Sequence, residues 1–240
     1  MTAGELMPVF KYYLQHGYKE SEIYAGTYSN GKLVNIPDAS LKCVYVKEIR
    51  LFIQAVSAFT NSTALTIVTY SQGAAVTRKA ILGGPCLDSI ENLGNPLTPI
   101  IETFLSIAGV NHGSFLCDIP SLRIGPACNN VTGVGCNSQF IADMNSQRRY
   151  EGRNIITMRS TSDEIVNTAC GLVTAEISGS NKSIVLPGLS HNQMMFDTIP
   201  IQYAIVTGGK DIELGMLFKP CVLEKPARRH YFYYSLMMFS

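Results

Sequence analysis

Charge is scarce in this sequence. Only 15% of the 240 residues are charged, well below the ~25% of an average soluble domain. Its 19 basic and 18 acidic residues leave a net charge of +1. A balance so near zero excludes electrostatic recognition of nucleic acid or another polyanion. Long apolar runs are missing as well, since no stretch approaches the ~20 uncharged residues of a membrane span. The cysteines show neither the close Cys-x2-4-Cys spacing nor the neighbouring histidines of a zinc site. The opening Met1-Thr2-Ala3-Gly4-Glu5 has no basic region and no apolar core of a secretory signal. What the chain does have is apolar content, 46% of its residues. That excludes intrinsic disorder, and at this length it predicts one large core burying roughly 70–75% of the unfolded surface.

Seven cysteines are present: Cys43, Cys86, Cys117, Cys128, Cys136, Cys170 and Cys221. Two readings stand, disulfides in an oxidising compartment and free buried thiols, and the composition around Cys117–Cys136 favours the first. Asn-x-Ser/Thr sequons at Asn61, Asn130 and Asn181 point the same way. An oxidising location without a leader gives the expectation that the natural N-terminus extends beyond Met1.

Apolar periodicity alternates between helical and extended along most of the chain. Leu6, Val9, Phe10, Tyr13 and Leu14 recur at helical spacing, with Gly17 as a stop. Ile23–Tyr28 reads as a short strand closed by the Asn30-Gly31 turn, and Val44 to Phe59 as an amphipathic helix. Ala64–Tyr70 is a strand-forming run and Gln72–Leu82 a helix stopped by Gly83-Gly84. Phe104–Val110, Ile155–Arg159 and Ser183–Leu186 are further strands, with a cysteine-rich excursion and one short helix near Ser138–Asn145 between the first two. Nearly continuous apolar runs belong to strands covered on both faces, so the pattern predicts an α/β fold around a mostly parallel sheet.

Thr69-Tyr70-Ser71-Gln72-Gly73 lies where the strongest strand meets a helix. A nucleophile elbow needs that setting, because a sharp strand-to-helix turn exposes the serine and directs the helix N–H groups at a developing oxyanion. The alternative is a serine that merely caps the helix. Chain order favours the elbow, since hydrolases of this kind run Ser, then acid, then His. Asp163 lies in the turn after the Ile155–Arg159 strand, with Glu164 as the competing acid or a solvated loop charge. His191 follows the last strand. Of the other histidines, His16 falls at a helix end, His112 before any late acid, and His230 in a basic tail. The expected catalytic residues are therefore Ser71, Asp163 and His191, with the Gln72 N–H as oxyanion donor. Phe115-Leu116 and Met194-Met195-Phe196 read first as core, with an acyl-binding role as the alternative.

These residues resemble the class 2 lipases of the α/β-hydrolase superfamily, in their secreted nematode and bacterial branch. The resemblance runs over about residues 5–208. It is carried by Gly17-Tyr18 with Glu22–Ala25, by Tyr70–Gly73 with Arg78–Gly84 and Cys86, and by Ala108–Ser114 with Cys117, Cys128 and Cys136. Asp143-Met144-Asn145, Arg149-Tyr150-Glu151-Gly152 and Ser160–Asp163 complete it, ending at His191. It implies an α/β-hydrolase fold, hydrolysis of acyl-ester lipids, a secreted location, disulfides, and no metal or other cofactor. The family begins with a buried strand whose His-Gly turn supplies a second oxyanion N–H. No residues here match that strand, so the sheet is expected without it. Thr69 stands where the elbow usually has Gly or Ala, and its branched side chain is expected to crowd the turn.

The sequence thus predicts one hydrolase domain over 1–220 and an irregular tail over 221–240. The basic and aromatic residues of that tail suit contact with a lipid interface, but because it resembles nothing in the family the favoured reading is a disordered end. No stable protein partner is expected. The rival to a triacylglycerol-type lipase is a catalytically impaired homologue that binds lipid or a partner. A thioesterase would share the triad and differ only in its acceptor or leaving group.

Overall fold

A computed structural model describes residues 3–28, 40–121, 125–208 and 235–239. Turn chemistry and apolar period set its elements. Helix α1 (Met7–Gln15) and strand β1 (Ile23–Gly26) come first, then the long helix α2 (Cys43–Thr60). In α2 the buried positions Val46, Ile49, Ile53 and Val56 recur every three or four residues. Strand β2 (Leu65–Tyr70), helix α3 (Gln72–Leu82) and strand β3 (Ile101–Ile107) follow. The sequence places the third apolar run at Phe104–Val110. The strand itself begins three residues earlier, because Ile101 is completely buried against the same core as Phe104. Helix α4 (Gln139–Met144), strand β4 (Asn154–Ser160), the small hairpin β5 (Thr168–Ala169) and β6 (Leu172–Val173), strand β7 (Lys182–Leu186) and helices α5 (His191–Phe196) and α6 (Ile199–Val206) lead to a last strand, β8 (Ser235–Phe239).

The six-stranded sheet has the order β1-β8-β2-β3-β4-β7. Strands β2, β3, β4 and β7 run parallel to one another, with Tyr70 beside Ile107, Ile107 beside Met158 and Ser160 beside Leu186. Their carboxyl ends therefore form one edge. Each strand divides its side chains between two cores. Leu65, Ile67 and Phe104 join α2, α3 and α4 on one face, through Ile49, Ala75 and Phe140 among others. Val68, Tyr70, Leu105 and Ile107 join α1, α5 and α6 on the other, through Tyr13, Met194 and Ile201. This is the α/β-hydrolase arrangement that the resemblance implies, helices on both faces of a mostly parallel sheet.

One expectation is corrected. The tail over 221–240 is not irregular throughout: Ser235–Phe239 form β8, antiparallel to both β1 and β2 and lying between them. Met238 is completely buried there. An interior place in the sheet satisfies both backbone edges of the strand, and it buries the apolar Met238. Cys221 and His230 lie outside the described residues, as do the Asn30-Gly31 turn and the rest of the basic tail.

Candidate active site

Strand β2 ends at Tyr70, and Ser71 makes the turn into α3 with φ 55° and ψ −131°. Such a conformation costs a non-glycine residue of order 1–3 kcal/mol and survives only where the surroundings hold it. Three backbone bonds do so. The Ser71 N–H donates to the Ile107 carbonyl at 3.0 Å, while the Ser71 carbonyl accepts from the N–H groups of Ala74 and Val110, each at 3.1 Å. Gly73, Ala74 and Ala75 are fully packed, so small residues let α3 press onto the sheet at this point. Gly109 is the second close approach: a Cβ there would stand 2.2 Å from Ser106 Oγ and 2.8 Å from the Ala74 Cβ. Thr69 does not displace the serine. Its hydroxyl donates to the Leu105 carbonyl at 3.1 Å, which turns the branched side chain into the sheet.

Three loops at the carboxyl edge converge on that serine. His191 Nε2 lies 2.9 Å from Ser71 Oγ. Its Nδ1 lies 2.8 Å from Asp163 Oδ2 and 3.1 Å from Oδ1. All three side chains are buried. A carboxylate can only accept, so the imidazole proton belongs on Nδ1 and Nε2 faces the hydroxyl as an acceptor. Asp163 is itself held by the N–H groups of Ile165 (2.9 Å) and Val166 (2.7 Å), both donating to Oδ1. The expected trio therefore forms one hydrogen-bonded row, drawn from the ends of β2, β4 and β7. Gln72, the expected oxyanion donor, is the first residue of α3 and largely buried.

The structure adds residues that the sequence reading passes over. Tyr70 donates its hydroxyl to the His191 carbonyl at 2.8 Å and holds its ring 4.8 Å from the imidazole. Glu164, weighed above as a competing acid or a solvated charge, is an exposed charge that does not touch the imidazole: its Oε2 accepts the His191 backbone N–H at 2.9 Å. Ser160 Oγ accepts from the N–H groups of Ser162 and Leu189, joining the acid turn to the histidine loop. Ser190 and Gln193 form a reciprocal capping box that starts α5 at His191. Only the Ser190-x-x-Gln193 spacing announced any of this in the sequence. His112 is half-buried, its backbone N–H donating to Thr174 Oγ1 at 3.3 Å, and His16 stacks on Tyr12 away from the row. Met194 and Met195 are core, whereas Phe115, Leu116 and Phe196 are half-buried.

Behind the elbow, α3 carries two buried cations. Arg78 Nη2 pairs with Glu151 Oε1 at 2.8 Å, with both side chains almost completely buried. Its Nη1 donates to the Asn111 carbonyl and to Asn145 Oδ1. Lys79 pairs with Asp143 at 2.7 Å and donates to the Gly83 carbonyl at the end of the helix. Disulfides fix the surrounding loops. Cys43–Cys86 ties the start of α2 to the loop after α3, Cys117–Cys128 closes the excursion after β3, and Cys136–Cys170 joins that excursion to the β5–β6 hairpin. Among the described residues one group, Cys43, Cys86 and Glu91, brings metal-ligating atoms within 4.8 Å of one another, but both sulfurs are spent in the disulfide and offer no thiolate.

A family model described as Lipase (class 2) matches residues 1–204 of the chain. No curated protein sequence matches it.

Proposed function

The chain belongs to the class 2 lipase family, and from that premise we propose that it hydrolyses acyl esters of lipids through a covalent acyl-Ser71 intermediate. The observation that carries the reading is the row of contacts at 2.9 and 2.8 Å from Ser71 through His191 to Asp163. Asp163 holds the imidazole in the tautomer whose Nε2 accepts a proton. His191 takes that proton from Ser71 as Oγ attacks the ester carbonyl, then gives it to the leaving alcohol. Water repeats the cycle on the acyl-enzyme, with His191 again as the base. The tetrahedral oxyanion lies at the N-terminus of α3, where the Gln72 N–H and the helix dipole favour negative charge. The half-buried Phe115, Leu116 and Phe196 are the side chains we assign to the acyl chain. The substrate is a lipid ester met outside the cell, and the three disulfides fit that location. We assign the catalytic fold to one domain over 1–220, with β8 added to its sheet.

One observation favours the rival reading of an impaired homologue. The family resemblance implies a buried first strand whose His-Gly turn supplies a second oxyanion donor, and no residues here match it. Beside β2 lies β8 instead, antiparallel to it, with Ser235 next to Tyr70. Losing one such donor costs about 10²–10³ in rate.

Fluorophosphonate labelling of the folded chain, with mass mapping of the adduct, tests the proposal, because it requires an activated serine and no particular acyl group. Labelling at Ser71, lost together with hydrolysis of a short-chain nitrophenyl ester in Ser71→Ala, is the expected result. A folded chain that takes no label belongs to the rival reading.

A further inference from the structure

The last turn of α2 carries a chemistry that the catalytic row does not use. The helix ends at Thr60 within the pentapeptide Phe59-Thr60-Asn61-Ser62-Thr63, one of three sequons in the chain. Asn61 is the C-cap, with φ 53° and ψ 32°, so the chain leaves the helix axis at this residue. The turn is tightly made: the Asn61 and Ser62 N–H groups both donate to the Ser57 carbonyl, Ser57 Oγ donates to the Ser62 carbonyl at 2.7 Å, and the Ala64 N–H donates to Ser62 Oγ. The acceptor residues stand clear of it. Asn61 and Thr63 are exposed, and neither side chain makes a hydrogen bond among the described residues. In the other two sequons the asparagines are exposed as well, but one polar group of each is engaged by the fold. Thr132, the hydroxyl residue of the Asn130 sequon, is buried and bonded to Asn129. Asn181 spends its Oδ1 on the Ile155 N–H at 2.8 Å, holding β4 beside the start of β7.

Phe59 gives Asn61 a second distinction. In a chain that buries most of its large apolar side chains, Phe59 is 79% exposed. Its ring makes a T-shaped contact with Tyr24, with centroids 6.3 Å apart and planes at 77°, and otherwise faces solvent. One residue, Thr60, separates it from Asn61, a span of at most ~7 Å between Cα atoms. The first sugar of an N-glycan presents a face of polarised C–H groups, the complement of the negative face of an aromatic ring.

We propose that Asn61 carries an N-linked glycan whose first N-acetylglucosamine packs on Phe59. In the transfer, Asn61 Nδ2 bonds to the anomeric carbon of an oligosaccharide carried on a lipid diphosphate. The bond from that carbon to the phosphate oxygen breaks, the amide nitrogen gives up one proton, and the lipid diphosphate leaves. The inference rests on the secreted location proposed above and is independent of the catalytic assignment. The glycan shields the exposed ring of Phe59, and couples it to a turn already held by four hydrogen bonds.

The test uses the 240-residue chain passed through the secretory pathway of a eukaryotic cell. Peptide-N-glycosidase treatment in heavy-oxygen water, followed by peptide mapping, should convert Asn61 to labelled aspartate. An unmodified Asn61 overturns the proposal whatever happens at Asn130 and Asn181. Complete deglycosylation should lower the thermal midpoint by about 2–4 °C, and trimming to the single first sugar should not. In Phe59→Ala the same deglycosylation should leave the midpoint unchanged; an equal fall there overturns the packing on Phe59. Asn61→Gln and Thr63→Ala should each reproduce the deglycosylated midpoint, which separates loss of the sugar from damage to the turn. Fluorophosphonate labelling of Ser71 in the same preparation keeps a failure at Asn61 distinct from a failure of the catalytic reading.

Discussion

Glu151→Ala should be among the most damaging single substitutions in this protein, although Glu151 touches nothing in the catalytic row. Glu151 is completely buried and pairs with Arg78, itself 1% exposed. Two contacts join them, Nε to Oε1 at 2.9 Å and Nη2 to Oε1 at 2.8 Å. Removing the carboxylate leaves a guanidinium in the core with only neutral partners, the Asn111 carbonyl at 3.3 Å, Asn145 Oδ1 at 3.2 Å and the Tyr150 ring at 5.7 Å. Breaking a buried pair in this way costs about 3–5 kcal/mol. In a chain of this size that is a fall of about 6–20 °C in the thermal midpoint, at 2–4 °C per kcal/mol. The loss should reach activity too, because the Asn111 carbonyl that Arg78 holds follows directly on Val110, whose N–H supports the strained Ser71 carbonyl. Thermal unfolding under non-reducing conditions, with the rate of Ser71 labelling followed in parallel, measures both effects. The double variant Arg78→Met/Glu151→Leu removes the stranded charge and should recover most of the loss. It leaves Asn145 Oδ1 unpaired, so a deficit of about 1–3 kcal/mol should remain. The Asn111 carbonyl still accepts from Asn145 Nδ2 at 2.9 Å. If Glu151→Ala costs less than about 1 kcal/mol, or if the double variant is no more stable than the single one, the desolvation argument is refuted.

Two further outcomes are expected. Asp163→Asn keeps the shape of the acid turn but loses the fixed imidazole tautomer, so kcat for a short-chain ester should fall by about 10⁴ with little change in KM; a fall below tenfold would point to another acid, and Glu164→Gln would then be examined next. His112 should make the fold acid-sensitive. Burial, and then the nearby Arg78 charge, lower its pKa below the ordinary 6.5, against an opposing pull from Glu176. The unfolded chain therefore binds the proton more readily, and the stability that the neutral ring contributes is fully present above about pH 6.5 and is lost as the pH falls through the lowered value. The drop in thermal midpoint from pH 7.5 to pH 5 should be smaller in His112→Gln than in the parent, and an equal drop in both would assign the acid sensitivity to other groups.

Local pattern and distant pairing divide what this sequence discloses. The period of Val46, Ile49, Ile53 and Val56 predicts α2 because every turn of a helix repeats the same demand for burial. Ser71, Asp163 and His191 can be picked out in order because each follows a strand whose own residues mark its end. The contacts that hold the row are another matter. Glu164 reads as a surface charge, and only the fold adds that it accepts the His191 N–H; Tyr70 reads as one more strand aromatic until its hydroxyl reaches the His191 carbonyl. The cysteines show the same division: three bonds among six cysteines allow 15 connectivities, and proximity in the fold selects the one found. Strand β8 is the extreme case. Leu236-Met237-Met238-Phe239 sits beside a basic and aromatic stretch that suggests a membrane-facing tail, while both partners of the strand, β1 and β2, lie in the first third of the chain. Nothing local in five residues can announce an interior position in a sheet whose neighbours are so distant. What gives β8 its place is the gap between two parallel strands, and a gap is a property of the whole sheet.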